Sequence, residues 1–217
     1  VVVEIISFLI DFIVHIDKHL EALVVAYGAW VYALLFLIIF VETGLVVMPF
    51  LPGDSLLFIV GAMAGVGMLN FPVACSILLV AAILGDQCNY TLGRMAGPKV
   101  FQWENSRWFN RAAFDKANSF YERYGGVTVI LARFMPFIRT FVPFVAGVAH
   151  MSRGKFSMFN VSGAIVWVLG IVSAGYFLGN LPWVREHLET LIWALILIPG
   201  VVALYGGSKT GRQQPQS

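Results

Sequence analysis

Two arginines and two prolines sit inside an otherwise apolar run, Arg133-Phe-Met-Pro136-Phe-Ile-Arg139-Thr-Phe-Val-Pro143-Phe-Val-Ala-Gly147. What surrounds them makes the pattern costly. The chain has 217 residues, 59% hydrophobic and 12% charged, with a mean hydropathy of +0.82. That is too apolar for a soluble domain and too short for more than one bundle, so an all-α integral membrane protein is expected. Arginine at bilayer depth costs about 2.5–3.5 kcal/mol on insertion scales, so both arginines need partners, water or a ligand. Pro136 and Pro143 each remove a backbone donor and disfavour helix at the residue before, which predicts a break near Met135 to Arg139. Broken backbone at membrane depth persists only where protein or a wet cavity covers it. The stretch therefore reads as a hairpin dipping into the membrane with its tip toward a polar cavity.

The rest of the chain is read in order. Residues 5–16 place Ile5, Phe8, Leu9, Phe12, Ile13 and Ile16 at helical spacing, an interfacial helix within 1–20. Residues 22–41 carry no formal charge, about the ~20 residues that cross ~30 Å, and this first span ends at Glu42. Residues 43–69 would pass for a second span by length, but Pro49, Pro52, Gly53 and Asp54 interrupt the first half. They predict another hairpin, entering as far as Pro49 and leaving on a short helix capped by Asp54 or Ser55. Phe71-Pro72 opens a helix to about Leu92, along which Gly85, Asn89, Gly93 and Gly97 make a small-residue stripe suited to close helix contact. Residues 94–123 form a polar loop rich in Lys and Arg. The organising hairpin occupies 126–150, two spans follow at 156–179 and 188–206, and 207–217 read as a disordered tail. Residues 1–206 thus form a single transmembrane domain.

The basic loop at 94–123 is placed in the cytoplasm. With both hairpins returning to their own side, Arg185 alone falls outside, Arg133 and Arg139 lie in the membrane, and the remainder of the fourteen Lys and Arg fall inside. Both termini are then cytoplasmic. The two hairpins enter from opposite sides with tips meeting at mid-depth, an inverted repeat of the kind that builds a midplane transport site.

Glu42, Asp54, Arg133 and Arg139 sum to zero formal charge, as an interior without counterions requires. Mutually satisfied ion pairs would be the plain explanation, yet buried pairs stabilise poorly because desolvation offsets much of their attraction. The functional explanation starts at Arg139-Thr140, expected at the start of an exit helix, where free N–H groups and the positive dipole end favour an anion. Two guanidinium forks would complete a phosphate site. Glu42 and Asp54, carboxylates in an apolar setting, are candidates to carry protons. Asp86 and Arg94 are supporting candidates. His150 could act as a nucleophile in lipid phosphate hydrolysis, but no carboxylate lies within four residues to orient it. His15 and His19 lack a third metal ligand, and Cys75 and Cys88 lie about 20 Å apart on one predicted helix, beyond disulfide reach. No cofactor, metal or nucleic acid is expected, and no cleavable signal peptide is evident.

Several short motifs together resemble the DedA family of bacterial membrane proteins. They are Glu42-Thr-Gly with Phe50-Leu-Pro-Gly-Asp54, Gly85-Asp86 with Asn89-Tyr90 and Gly93-Arg94, Arg133-Phe-x-Pro136-x-x-Arg139 with Pro143-x-x-Ala-Gly147, and finally Phe156, Asn160, Gly163 and Trp167. The resemblance covers nearly the whole chain. It implies paired re-entrant hairpins in the bacterial inner membrane, and return of undecaprenyl phosphate from the outer to the inner leaflet with proton-motive force as the suspected driver. It also implies that Glu42, Asp54, Arg133 and Arg139 occupy the family's essential positions.

The expected function is a flippase for a lipid with a monophosphate head group, not an enzyme. Its partners would be that lipid, membrane lipids, protons and, as one option, a second copy of the chain. An antiporter of the same fold, with Glu42 and Asp54 coordinating the ion, is the first alternative, and a lipid phosphatase using His150 is the second.

Overall fold

The computed structural model describes residues 27–45, 53–96, 118–119, 121–135, 138–179 and 181–182. Among them all regular structure is helical: α1 (Trp30–Gly44), α2 (Gly53–Gly65), α3 (Phe71–Ala96), α4 (Thr128–Leu131), α5 (Ile138–Val148) and α6 (Arg153–Leu178), with 3-10 turns at Gly125–Val127 and Ala132–Phe134. The expected interfacial helix at 1–20, most of the polar loop, the last span at 188–206 and the tail lie outside the described residues.

α3 and α6, each of 26 residues, are long and apolar enough to cross a membrane. At 1.5 Å per residue each reaches about 39 Å. Val80, Leu84 and Leu92 of α3 and Ile165, Val166 and Leu169 of α6 point outward and exposed, as lipid-facing side chains would. α3 begins where Asn70 caps it, its Oδ1 accepting the Val73 N–H at 3.1 Å, while Pro72 in the first turn gives up a donor the helix does not need there.

α1 and α5 lie along α3, and α2 lies along α6. The glycine stripe of α3 does what its spacing predicts. A Cβ on Gly85 would strike the Thr43 hydroxyl of α1 and one on Gly93 would strike the Phe144 carbonyl of α5, so only glycine permits these approaches. Gly97 lies outside the described residues.

α2 and α5 run to opposite ends of the α3/α6 pair. Beyond α2 a turn at 66–70 leads into the start of α3, where Phe71 meets Tyr176 near the end of α6 with ring centroids 4.9 Å apart. Beyond α5 the chain turns into the start of α6, and Arg94, near the end of α3, donates to the Met151 carbonyl at 3.2 Å in that turn. His150 terminates α5 in the left-handed conformation, φ 54. Its N–H bonds to the Gly147 carbonyl and the Met151 N–H to the Ala146 carbonyl, both at 3.0 Å. This is a Schellman cap with histidine where glycine is usual.

Two apolar cores result. One gathers Leu35, Ile39, Leu56, Val60, Leu78 and Val172, the other Tyr90, Val142, Val145 and Phe156. Between them, one turn from each core, α3 presents Asp86 and α6 presents Asn160.

The helix break expected near Met135 to Arg139 is present. The 3-10 turn Ala132–Phe134 ends at Met135 in extended conformation, φ −115 and ψ 106, and α5 starts at Ile138. Pro136 itself lies outside the described residues. Pro143 is held inside α5, where it forfeits one bond, to the Arg139 carbonyl, without ending the helix. Two expectations need correction. α1 continues through Glu42 to Gly44, past the expected end of the first span. α2 starts at Gly53, so Asp54 lies inside its first turn and is not its cap; the carboxylate is engaged elsewhere.

Candidate functional site

The C-terminal end of α1, the N-terminal ends of α2 and α5, and the turn Ala132–Phe134 converge beside the middle of α3 and α6. Asp86 stands about 22 Å from the start of α3 and about 15 Å from its end, and Trp167 about 21 Å and 17 Å from the ends of α6, at 1.5 Å per residue. If the two helices span a bilayer, the convergence is near mid-depth.

Arg133 and Arg139 flank the break and reach different carboxylates. Arg139 spreads its fork over two helices: Nη2 donates to Glu42 Oε1 of α1, and Nη1 donates to Asp54 Oδ1 of α2 at 2.9 Å. Arg133 turns to the other side, where Nη2 donates to Asp86 Oδ2 of α3 and to Asn160 Oδ1 of α6, the latter at 2.6 Å. Asn160 in turn donates to the Ile83 carbonyl at 3.0 Å. Charged groups in this setting are tolerable because each is paired and hydrogen-bonded.

Trp167 joins the two pairs. Its Nε1 donates to Asp54 Oδ1 at 2.8 Å, the oxygen Arg139 also uses. The guanidinium carbons of Arg133 and Arg139 lie 5.7 Å and 5.4 Å from its ring centroid, within cation–π range. Asn89 ties the backbone, donating to the Thr43 carbonyl at 3.1 Å and the Thr140 carbonyl at 2.7 Å, and so pins the end of α1 to the first turn of α5.

The enclosed space among Glu42, Thr43, Asp86, Arg133, Arg139, Thr140 and Trp167 is about 10 Å³, room for no more than about one water molecule. Glu42 is 3% exposed, and its carboxylate lies against Gly53, where any Cβ would collide with Oε2. Among the described residues, Glu42 Oε2, Asn89 Oδ1 and Arg133 Nε are buried without a hydrogen-bond partner. Three carboxylates face two guanidiniums, a formal charge of −1. The balanced quartet expected from sequence is therefore incomplete, because Asp86 belongs to the cluster.

Other candidates fall elsewhere. Arg94 donates to the Tyr90 hydroxyl at 2.8 Å and to the Met151 carbonyl, and the Tyr90 hydroxyl donates to that same carbonyl. Arg94 is thus a latch on the α5–α6 turn, outside the cluster. His150 is an exposed helix cap, about 17 Å along α5 from Arg139 at 1.5 Å per residue. Cys75 and Cys88 are both free, on α3. His15 and His19 lie outside the described residues. Residue-by-residue reading did not single out Asn160 or Trp167 as site residues. The available signal was a polar Asn inside an apolar span with a Trp seven residues on, two turns along the same face.

Comparison with known proteins agrees with these motifs. The VTT domain model matches residues 51–177. Protein DedA of Escherichia coli K12 is 54% identical over 206 residues, covering 93% of this chain and 94% of that protein. An uncharacterized membrane protein of Mycobacterium leprae, ML0287, is 43% identical over 183 residues, covering 83% and 82%. Inner membrane protein YqjA of E. coli K12 is 33% identical over 182 residues, covering 81% and 80%. No solved structure matches. With the VTT domain across most of its length and DedA alike over nearly all of it, this chain belongs to the DedA family of membrane proteins.

Proposed function

We propose that this protein is a transporter of the inner membrane that returns a lipid with a phosphate monoester head group, undecaprenyl phosphate, from the outer to the inner leaflet in exchange with protons. The observation that carries this reading is the Arg139 fork, divided between Glu42 and Asp54 at the meeting of three helix ends. A guanidinium that two carboxylates hold is released when they are protonated, and a phosphate offers the same fork two oxygens in place of theirs. Thr140, lining the space beside Arg139, lies in the first turn of α5, where the positive end of the helix dipole favours an anion. Arg133 completes the basic side.

The architecture that goes with this reading is a pair of re-entrant hairpins, 43–69 and 126–150, in an inverted repeat. α2, of 13 residues, and α5, of 11, reach only about 20 Å and 17 Å, too short for the ~30 Å hydrocarbon core. Each starts at the charged cluster and runs to an opposite end of the long helices, as two half-helices leaving the midplane would. Both termini would then be cytoplasmic.

As the space is too small for a phosphate, binding requires the Arg139 pairs to open. The test is reconstitution into vesicles carrying undecaprenyl phosphate in one leaflet, with and without a pH gradient. Lipid movement that follows the gradient is expected. Proton or cation flux without lipid movement would replace this reading with the antiporter. Phosphate release that ended in His150→Ala would point to the phosphatase, although the position of His150 in an exposed cap gives that no support.

A further inference from the structure

Glu42 and Asp54 share Arg139 but are otherwise held differently. Asp54 Oδ1 has two donors, Arg139 Nη1 and Trp167 Nε1. Glu42 has Arg139 on Oε1, and its Oε2 is buried without a partner among the described residues. An indole N–H is a neutral donor that cannot leave with the phosphate or change its charge. When Arg139 moves to a head group, Asp54 keeps the Trp167 N–H, while among the described residues no side-chain donor remains on Glu42, whose carboxylate then lies only against the backbone of Gly53.

We infer that Trp167 sets the order of the exchange: by holding Asp54 it leaves Glu42 as the carboxylate that takes the proton when Arg139 turns to phosphate. This rests on the transport reading above. The surrounding groups do not alter the asymmetry. Glu42 is faced by Arg139 from α5, by Asp54 and Gly53 from α2, and across the small cavity by Asp86 of α3 and Trp167 of α6. Asp86 is already paired with Arg133. The adjoining segments 46–52 and 136–137 contain no titratable side chain. Trp167 is thus a positioning residue, acting through Asp54 and not on the lipid.

Two measurements test the inference. The first needs no lipid: the infrared band of a neutral carboxyl is followed in the purified protein as pH falls. The first band to appear should vanish in Glu42→Gln and persist in Asp54→Asn. The second is the affinity for undecaprenyl phosphate against pH. Its pH dependence should flatten in Glu42→Gln, survive in Asp54→Asn, and return in the double variant Glu42→Gln with Trp167→Phe, where Asp54 has lost its fixed donor. Phe retains the ring that both guanidiniums approach, so the double variant isolates the N–H. A first band lost in Asp54→Asn, or a double variant as flat as Glu42→Gln alone, overturns the inference. Should the parent bind no lipid phosphate at any pH, the transport reading falls, and the infrared order, compared with and without Trp167→Phe, still decides whether Trp167 sets which carboxylate is protonated first. Should the double variant fail to fold, the infrared order in Trp167→Phe alone replaces it: an Asp54 band that does not move toward the Glu42 band when the indole N–H is removed overturns the inference.

Discussion

Arg139→Lys separates a phosphate-gripping arginine from a countercharge. Arg139 makes two charge-assisted hydrogen bonds from two different nitrogens to carboxylates on two helices. Lysine has one nitrogen and no planar fork, so it can satisfy one carboxylate in that geometry and leaves the other short of a partner. One hydrogen bond to a charged group is worth about 1.5–3 kcal/mol. The variant should therefore lose about that much stability, seen as a lower melting temperature in detergent. This loss is expected whether or not phosphate binds, so stability does not discriminate. Lipid affinity does: a phosphate gripped by the fork would lose one bond as well, which at about 1.4 kcal/mol per tenfold weakens undecaprenyl phosphate binding roughly 10- to 150-fold. The assay is a binding titration of parent and variant in detergent, run beside the thermal melt. A destabilised Arg139→Lys that binds the lipid as tightly as the parent would refute the phosphate grip and leave Arg139 as a structural cation.

The remaining predictions concern the other pair, the helix cap and the topology. Asp86→Asn strips Arg133 of its buried countercharge and should cost about 3–5 kcal/mol, whereas the double change Asp86→Leu with Arg133→Met should recover most of the stability and still lose lipid binding; recovered binding would remove Arg133 from the site. His150→Gly relieves a left-handed histidine and should raise stability by up to about 1 kcal/mol with transport intact, while loss of transport would return His150 to the functional set. With Cys75 and Cys88 replaced, an impermeant thiol reagent should label a cysteine at Asn180 from outside and one at Ser208 only after permeabilisation, and outside labelling at Ser208 would dismantle the opposed-hairpin topology.

α3 was legible because an apolar run with Pro72 near its start and small residues along one face leaves few alternatives, and α6 because its apolar run is long enough to cross a membrane. The break before Arg139 was legible for the same kind of reason, since Pro136 acts on its immediate neighbours. Which arginine meets which carboxylate was not. Arg139 lies 97 residues from Glu42 and 85 from Asp54, and Arg133 lies 47 from Asp86. Such pairings depend on how the helix ends converge, and local pattern is silent about that. Asp54 illustrates the competition. Its place at the start of a helix suits a cap by propensity, but a guanidinium and an indole N–H hold its carboxylate more strongly than a backbone amide would. His150 shows the reverse: a residue with catalytic capacity was recruited for its tolerance of positive φ.

The two ion pairs are not equivalent, and the difference bears on how such a site could work. Arg133 and Asp86 have side chains only 6% and 7% exposed, and Asn160 adds a further bond from α6. Arg139 and Asp54 are 16% and 31% exposed. Opening the first pair would strand two buried charges at once, at a large desolvation penalty, whereas on the Arg139 side only Glu42, 3% exposed, is as deeply buried. The second lies at the accessible edge, where water or a head group can replace a lost partner as the pair parts. It joins α2 to α5, and Glu42 on the same guanidinium adds α1, so releasing Arg139 frees the starts of the two short helices from each other while Arg133 still binds its own turn to α3 and α6. On the proposed reading, alternating access needs one fixed pair and one exchangeable pair. The exposures assign those roles: a head group meets Arg139 first, and Arg133 stays with Asp86 until the Arg139 pairs have opened.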